Sequence, residues 1–109
     1  MKLSTVIGII VFASSIASAN AQSMRKYDPV TYCKGVSDYS GGSSVVYNGC
    51  IEMEQSSYNE LKPKWAALSS KTRNHCEEVA RYSDGSYVIL KGCVDMEADA
   101  AASTPEFKF

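Results

Sequence analysis

Apolar and polar positions alternate along this chain with a helical period. Tyr47, Cys50, Ile51, Glu54, Tyr58 and Leu61 recur at steps of three and four. That spacing lays them along one side of a helix. Leu90, Cys93, Val94, Glu97 and Ala101 form a second such stripe. The β-branched pairs Val45-Val46 and Val88-Ile89 would suit a strand. Strict alternation lapses after them, and Glu, Met, Ala and Lys follow, so the pattern predicts helices.

Breakers precede both stripes: Ser40-Gly41-Gly42-Ser43 and Ser83-Asp84-Gly85-Ser86. Ser43 and Ser86 are placed to cap the helices they open. Before each breaker lies a shorter helical segment that starts at a cysteine. Between the units, the long helix is expected to end near Lys62, because Pro63 disfavours a helical residue before it. Trp65, Ala66 and Leu68 make a short apolar patch, and Ser69 or Ser70 can cap the next helix.

The two halves are copies. A shift of 43 residues brings Cys33 onto Cys76 and Cys50 onto Cys93. Eleven of the twenty-two positions from Cys33 to Glu54 are identical to their counterparts. Such self-similarity marks a repeated structural unit. The expected fold is all-α: two disulfide-stapled antiparallel helical hairpins, packed as a small bundle around Trp65, Leu61, Ile51, Val94 and Leu90. The units cover about 30–61 and 70–102 within a domain of 30–102. Residues 22–29 and 103–109 read as flexible tails.

The pairing of the cysteines follows from the turns. The midpoint of Cys33 and Cys50 falls between Gly41 and Gly42, and that of Cys76 and Cys93 between Asp84 and Gly85. With the turn as apex, each cysteine lies level with its mate across the hairpin. Cys33–Cys50 and Cys76–Cys93 are therefore the expected disulfides. Gly49 and Gly92, each just before a cysteine, would let the helices approach. The same geometry places Arg73 opposite Glu97 one turn beyond the second disulfide, as a structural ion pair. Val30 stands where Arg73 has its counterpart, so Glu54 needs another partner; Arg25 and Lys26 are candidates.

Composition fits an exported protein. Lys2 precedes the apolar run Val6 to Ala13, and small residues follow with A-x-A sites at Ala17-Ser18-Ala19 and Ala19-Asn20-Ala21. Residues 1–21 read as a secretory signal peptide, cleaved after Ala19 or Ala21. The run is too short for a stable membrane span, and no later segment is apolar enough, so no membrane insertion is expected after cleavage. Without Lys2, ten basic residues face twelve acidic ones, interspersed along the chain. No cationic stripe invites nucleic acid. Four cysteines in a small exported chain suit staples in an oxidising compartment, periplasmic or secreted.

The unit Arg73-x2-Cys76-x2-Val79-Ala80, then Gly85-Ser86-Tyr87-x2-Leu90-x2-Cys93-Val94-x2-Glu97, resembles a cysteine-paired unit of small exported proteobacterial proteins. The first copy departs from it, with Ser44 for the tyrosine, Tyr47 for the leucine and no arginine. The resemblance implies a helical, disulfide-bonded, periplasmic or secreted protein. It carries no catalytic residue across.

Candidate chemistry is thin. His75 is the single histidine and has only sequence neighbours such as Glu77 and Glu78 beside it; a solvent-facing helix position accounts for it. No C-x-x-C exists, which argues against metal or redox cysteines. Glu54 and Glu97 are a repeated carboxylate pair, but duplication explains them without acid–base catalysis. Gly41-Gly42 lacks the lysine of a phosphate loop. The seven tyrosines divide between core filling and a binding surface, and Trp65 reads as a core plug. No catalytic, cofactor-binding or metal-binding residue is expected. The leading expectation is a non-enzymatic structural or protein-binding module of the cell envelope, with an envelope or secreted protein as its partner. Alternatives are an inhibitor of a secreted hydrolase acting through one of the turns, and a periplasmic stress chaperone.

Overall fold

The computed structural model describes residues 23–109, with Gly8 besides. The expected signal peptide lies outside the described residues. Four helices follow in order: α1 (Pro29–Tyr39), α2 (Ser44–Lys64), α3 (Ser70–Tyr82) and α4 (Tyr87–Ala102), with a 3₁₀ turn at Trp65–Ala67 between α2 and α3. No strand occurs among the described residues. The fold is all-helical, as the periodicity predicted.

Each helix start has its own cap. Asp28 accepts from the Thr31 N–H, with Pro29 at the first helical position. Ser43 accepts from Val46, Ser69 from Thr72 and Ser86 from Ile89. Each side chain satisfies one of the donors that a helix leaves open at its start. The hairpin turns close the other ends. Gly41 has φ +73° and Gly42 φ +81°, and the Gly42 N–H donates to the Ser37 carbonyl at 2.9 Å. The second turn repeats the device: Asp84 has φ +61°, and the Gly85 N–H donates to the Ala80 carbonyl at 2.9 Å. These bonds wrap the chain around the helix C-terminus and send it back.

Both disulfides form as the turn midpoints predicted. Cys33–Cys50 spans a Cα separation of 5.6 Å, and Cys76–Cys93 one of 5.5 Å. The glycines before the second cysteines are not what allows this. A Cβ on Gly49 or Gly92 would meet nothing within 4 Å. One helical residue turns by about 100°, so the residue before each cysteine faces away from the partner helix.

Pro63 also differs from expectation. It is taken into the last turn of α2, which runs to Lys64 before tightening into the 3₁₀ turn. Leu61 and Trp65 are both buried on either side of it, and that anchorage holds the backbone helical past a lost hydrogen bond.

The core belongs mainly to the second hairpin and its contact with α2. Leu61, Trp65, Cys76, Ala80, Tyr87, Leu90 and Val94 form one buried cluster. Ile51, expected there, is only half-buried.

The two hairpins meet through α2 and α4. Glu54 bonds to the backbone of Tyr87, and Glu60 lies 3.2 Å from Lys91. Residue numbers rise together on both helices, so α2 and α4 run parallel there, while each hairpin is antiparallel within itself. Glu54 sits beside the start of α4, not beside its own counterpart Glu97. The second unit is therefore displaced along the shared direction rather than turned about a twofold axis.

Candidate functional site

Glu54 is the most buried charged side chain described, 1% exposed. Its carboxylate accepts from the Tyr87 N–H at 2.6 Å and from the Ser86 hydroxyl, with the Val88 N–H at 3.5 Å. These donors are the first turn of α4, where a helix concentrates partial positive charge. The partner anticipated among Arg25 and Lys26 is thus a helix terminus. This arrangement joins the hairpins and occupies both carboxylate oxygens.

Next to it, residues 23–28 are docked rather than loose, which corrects the expectation for the 22–29 tail. The Tyr27 N–H donates to the Tyr87 hydroxyl at 2.9 Å, and that hydroxyl donates to the Arg25 carbonyl at 2.8 Å. Tyr27 and Tyr58 rings flank Tyr87 with centroids 5.0 Å away in each case. Met24 packs on the core, and Arg25 Nε lies 3.6 Å from Glu77. Burial pushes the hydroxyls of Tyr27 and Tyr87 above the usual tyrosine range. Glu77 adds to the rise at Tyr27, whereas the hydrogen bond with the Tyr27 backbone opposes it at Tyr87. The segment is a strap of aromatic and backbone contacts, for which a polar and basic string of residues offered no periodic signal.

Arg73 and Glu97 do not pair. Glu97 instead meets His75, with Nε2 to Oε1 at 3.6 Å. Arg73 shares a helical stripe with Cys76 and Ala80 and turns inward, and its Nε is buried with no hydrogen-bond partner among the described residues. Counting residues from the disulfide does not fix the rotation of each side chain about its helix, and His75 takes the place expected of Arg73. His75 is exposed, as expected of a solvent-facing helix position. Trp65 is a core plug, 3% exposed. The tyrosines split: Tyr87 is buried, while Tyr39 and Tyr82 stand in solvent beside the two turns. Among the described residues, no three His, Cys, Asp or Glu side chains converge to hold a metal ion.

The open surface of the first hairpin is different in character. α1 and α2 leave a furrow above the Cys33–Cys50 bridge, a cleft of about 370 Å³ lined by Tyr32, Val36, Val45, Val46, Met53 and Val88. Val45 is 83% exposed and Met53 59%. At one end, Glu54 is shared with a cleft of about 350 Å³ under the strap, walled by Tyr27, Tyr58, Tyr87 and Ile51. At the other end, Tyr32 and Val36 are shared with a cleft of about 390 Å³ between α1 and the α3–α4 turn. Sequence periodicity did not point to this surface: Val45 and Val46 lie outside the stripe of Tyr47, Cys50, Ile51, Glu54, Tyr58 and Leu61 and drew attention only as a β-branched pair.

No family model matches the chain, and neither the curated proteins nor the solved structures contain a match.

Proposed function

We propose that the protein is an exported, non-enzymatic binding module that takes an apolar segment of a partner protein into the furrow of its first hairpin. One observation carries the reading: Val45 and Met53 are large apolar side chains, mostly exposed, over a cleft lined mainly by apolar side chains. Contiguous exposed apolar surface on a small folded domain marks an interaction site. The signal-like N-terminus and the two disulfides support export to an oxidising compartment. No helix among the described residues is long and apolar enough to cross a membrane.

A photo-crosslinking side chain placed at Met53 in cells tests this, with the same group at Ala98 as control. The expected result is a discrete adduct at Met53, competed by purified protein and lost in Val45→Glu. Equal labelling at the two positions sinks the reading. A second reading, a hydrolase inhibitor acting through a hairpin turn, draws on Tyr39, which is 98% exposed beside the Ser40–Ser43 turn. Inhibition across a panel of secreted hydrolases would favour it, and its loss in Tyr39→Ala would assign it to the turn.

A further inference from the structure

After α4 comes a segment with no part in the core. Ser103 and Thr104 donate their hydroxyls to the Asp99 and Ala100 carbonyls at the end of the helix. Pro105 does not extend it. Residues 103–109 all lie exposed. Beyond the proline, Glu106 and Lys108 alternate with Phe107 and Phe109. In an extended segment that alternation sets both rings on one side and both charges on the other.

Phenylalanine is out of place in such a tail. The described residues hold two phenylalanines, and neither belongs to the core cluster or packs against it. Phe107 is 82% exposed and Phe109 fully so. Their rings meet each other edge to face, with centroids 5.0 Å apart. Tyr39 and Tyr82 also stand in solvent, but each has a hydroxyl that water can bond. A phenylalanine has none, so its exposure leaves bare apolar surface in water.

The first hairpin carries the matching half. An apolar cavity of about 150 Å³ takes one benzene ring, so the furrow, at about 370 Å³, has room for two. Tyr32 offers an aromatic ring there, and Met53 a thioether of the kind that packs against rings. The tail cannot fill the furrow of its own chain. The furrow starts beside Val88 and Glu54 and runs back along α2 to Val45, away from the end of α4. Counted along the two parallel helices, Ala102 and Val45 are about 35 Å apart. An extended chain from Ala102 carries Phe107 about 18 Å and Phe109 about 25 Å at most. The two rings therefore cannot both sit over Val45 and Met53 of the chain that bears them.

We infer that the segment received by the furrow is the 103–109 tail of a second copy of this chain, with Phe107 and Phe109 seated over Val45 and Met53. The inference rests on the furrow reading above and names its partner. Two aromatic side chains bury roughly 300–500 Å² of their own surface. That places the contact below the ~1,200 Å² at which stable interfaces begin, so the association is weak and reversible. Each copy offers one tail and one furrow, and the contact is heterologous.

Sedimentation equilibrium of the purified protein, up to about millimolar concentration, tests this. The wild type is expected to show a mass that rises with concentration above that of one chain. Phe107→Ser with Phe109→Ser removes the rings from the tail, and Val45→Glu places a charge in the furrow. All three positions are exposed, and circular dichroism verifies that both variants fold. Each variant alone should stay at the mass of one chain. An equimolar mixture of the two should regain association as pairs, because one intact tail then meets one intact furrow. A wild type that stays single overturns the inference; a discrete adduct from the Met53 crosslinker then keeps the furrow reading, and no adduct ends both. Association that survives in Val45→Glu overturns the inference, because the rings then sit elsewhere. Association that survives in the tail variant overturns it as well, and so does a mixture that stays single.

Discussion

Glu54 and Tyr87 are thirty-three residues apart in sequence and 2.6 Å apart in space, carboxylate to backbone N–H. This bond and its neighbour from Ser86 tie α2 to the first turn of α4 in a fully enclosed setting. A buried charge on a helix start is stabilising only while its donors remain. Glu54→Gln keeps the shape and loses the charge, and the expected cost is about 1–3 kcal/mol. Glu54→Ala should cost more, since it also leaves a cavity and unpaired N–H groups. Urea unfolding of both variants measures the difference; a neutral Glu54→Ala would remove this joint from the account.

Each disulfide closes a loop of seventeen residues in sequence separation. Chain entropy assigns roughly 3 kcal/mol to a loop of that size. The paired serine variants Cys33→Ser with Cys50→Ser, and Cys76→Ser with Cys93→Ser, should each lose about that much. The second pair should lose more, because Cys76 belongs to the core cluster and Cys33 does not. Denaturant titration of the two double variants checks the order.

Gly42 and Gly85 allow a controlled comparison. Both hold positive φ, which any side chain resists. A Cβ on Gly42 meets nothing, but one on Gly85 would come within 2.7 Å of Tyr27 Cδ1. Gly42→Ala should therefore cost about 1–2 kcal/mol from the backbone alone. Gly85→Ala should cost that and the displacement of the strap. In a Tyr27→Ala background the two costs should become equal, and a double-mutant cycle reads the convergence.

Gly35→Ala should raise stability by about 0.5–1 kcal/mol, by the ordinary helix preference for alanine. The position is exposed and open, so no clash opposes the gain. A higher melting temperature is the expected reading, and no change would mean that α1 gains nothing there.

Alkali should loosen the strap. The hydroxyls of Tyr27 and Tyr87 lie above the usual tyrosine range, with burial as the first cause. In the unfolded chain these groups ionise near pH 10. The folded state thus holds more protons above that pH, and stability falls as pH rises through the folded values. Below the unfolded value their contribution is fully present. Tyrosinate absorbance should show late-ionising groups, and Tyr87→Phe should remove one of them together with the hydrogen bond to the Arg25 carbonyl.

Much of this architecture was legible because it is local or repeated. Ser43 and Ser86 announced helix starts through their own hydrogen-bonding chemistry. The cysteines announced their pairing because a symmetric spacing about a turn has one simple geometric solution. Leu61, Leu90 and Val94 announced the core through their period, and Trp65 through its place in the short apolar patch after α2. What stayed hidden depends on how the two hairpins sit together. Glu54 reaches a helix start in the other unit, and nothing near it in sequence says so. Tyr27 docks on Gly85 and Tyr87, some sixty residues away. Arg73 was expected against Glu97, but Glu97 meets His75, two residues further along α3, because counting along a hairpin does not fix the rotation of each side chain about its helix. The furrow was hidden because Val45 and Met53 belong to no predicted stripe, and only the finished packing shows that they line one cleft.

The displacement between the hairpins gives the molecule a direction. A step from Tyr87 to Glu97 along α4 is about 15 Å of helix, and one more unit could in principle be laid down by the same step. The positions that would form such a joint carry other residues. Ala101 and Thr104 stand where α2 has Tyr58 and Leu61, and Ser44 stands where α4 has Tyr87. All three substitutes are exposed. The terminal faces thus keep the outline of the internal joint without its aromatic filling, as the end repeats of stacked proteins do. With Tyr58 and Leu61 restored at positions 101 and 104, and a tyrosine at Ser44, the sequence would describe one segment of a rod.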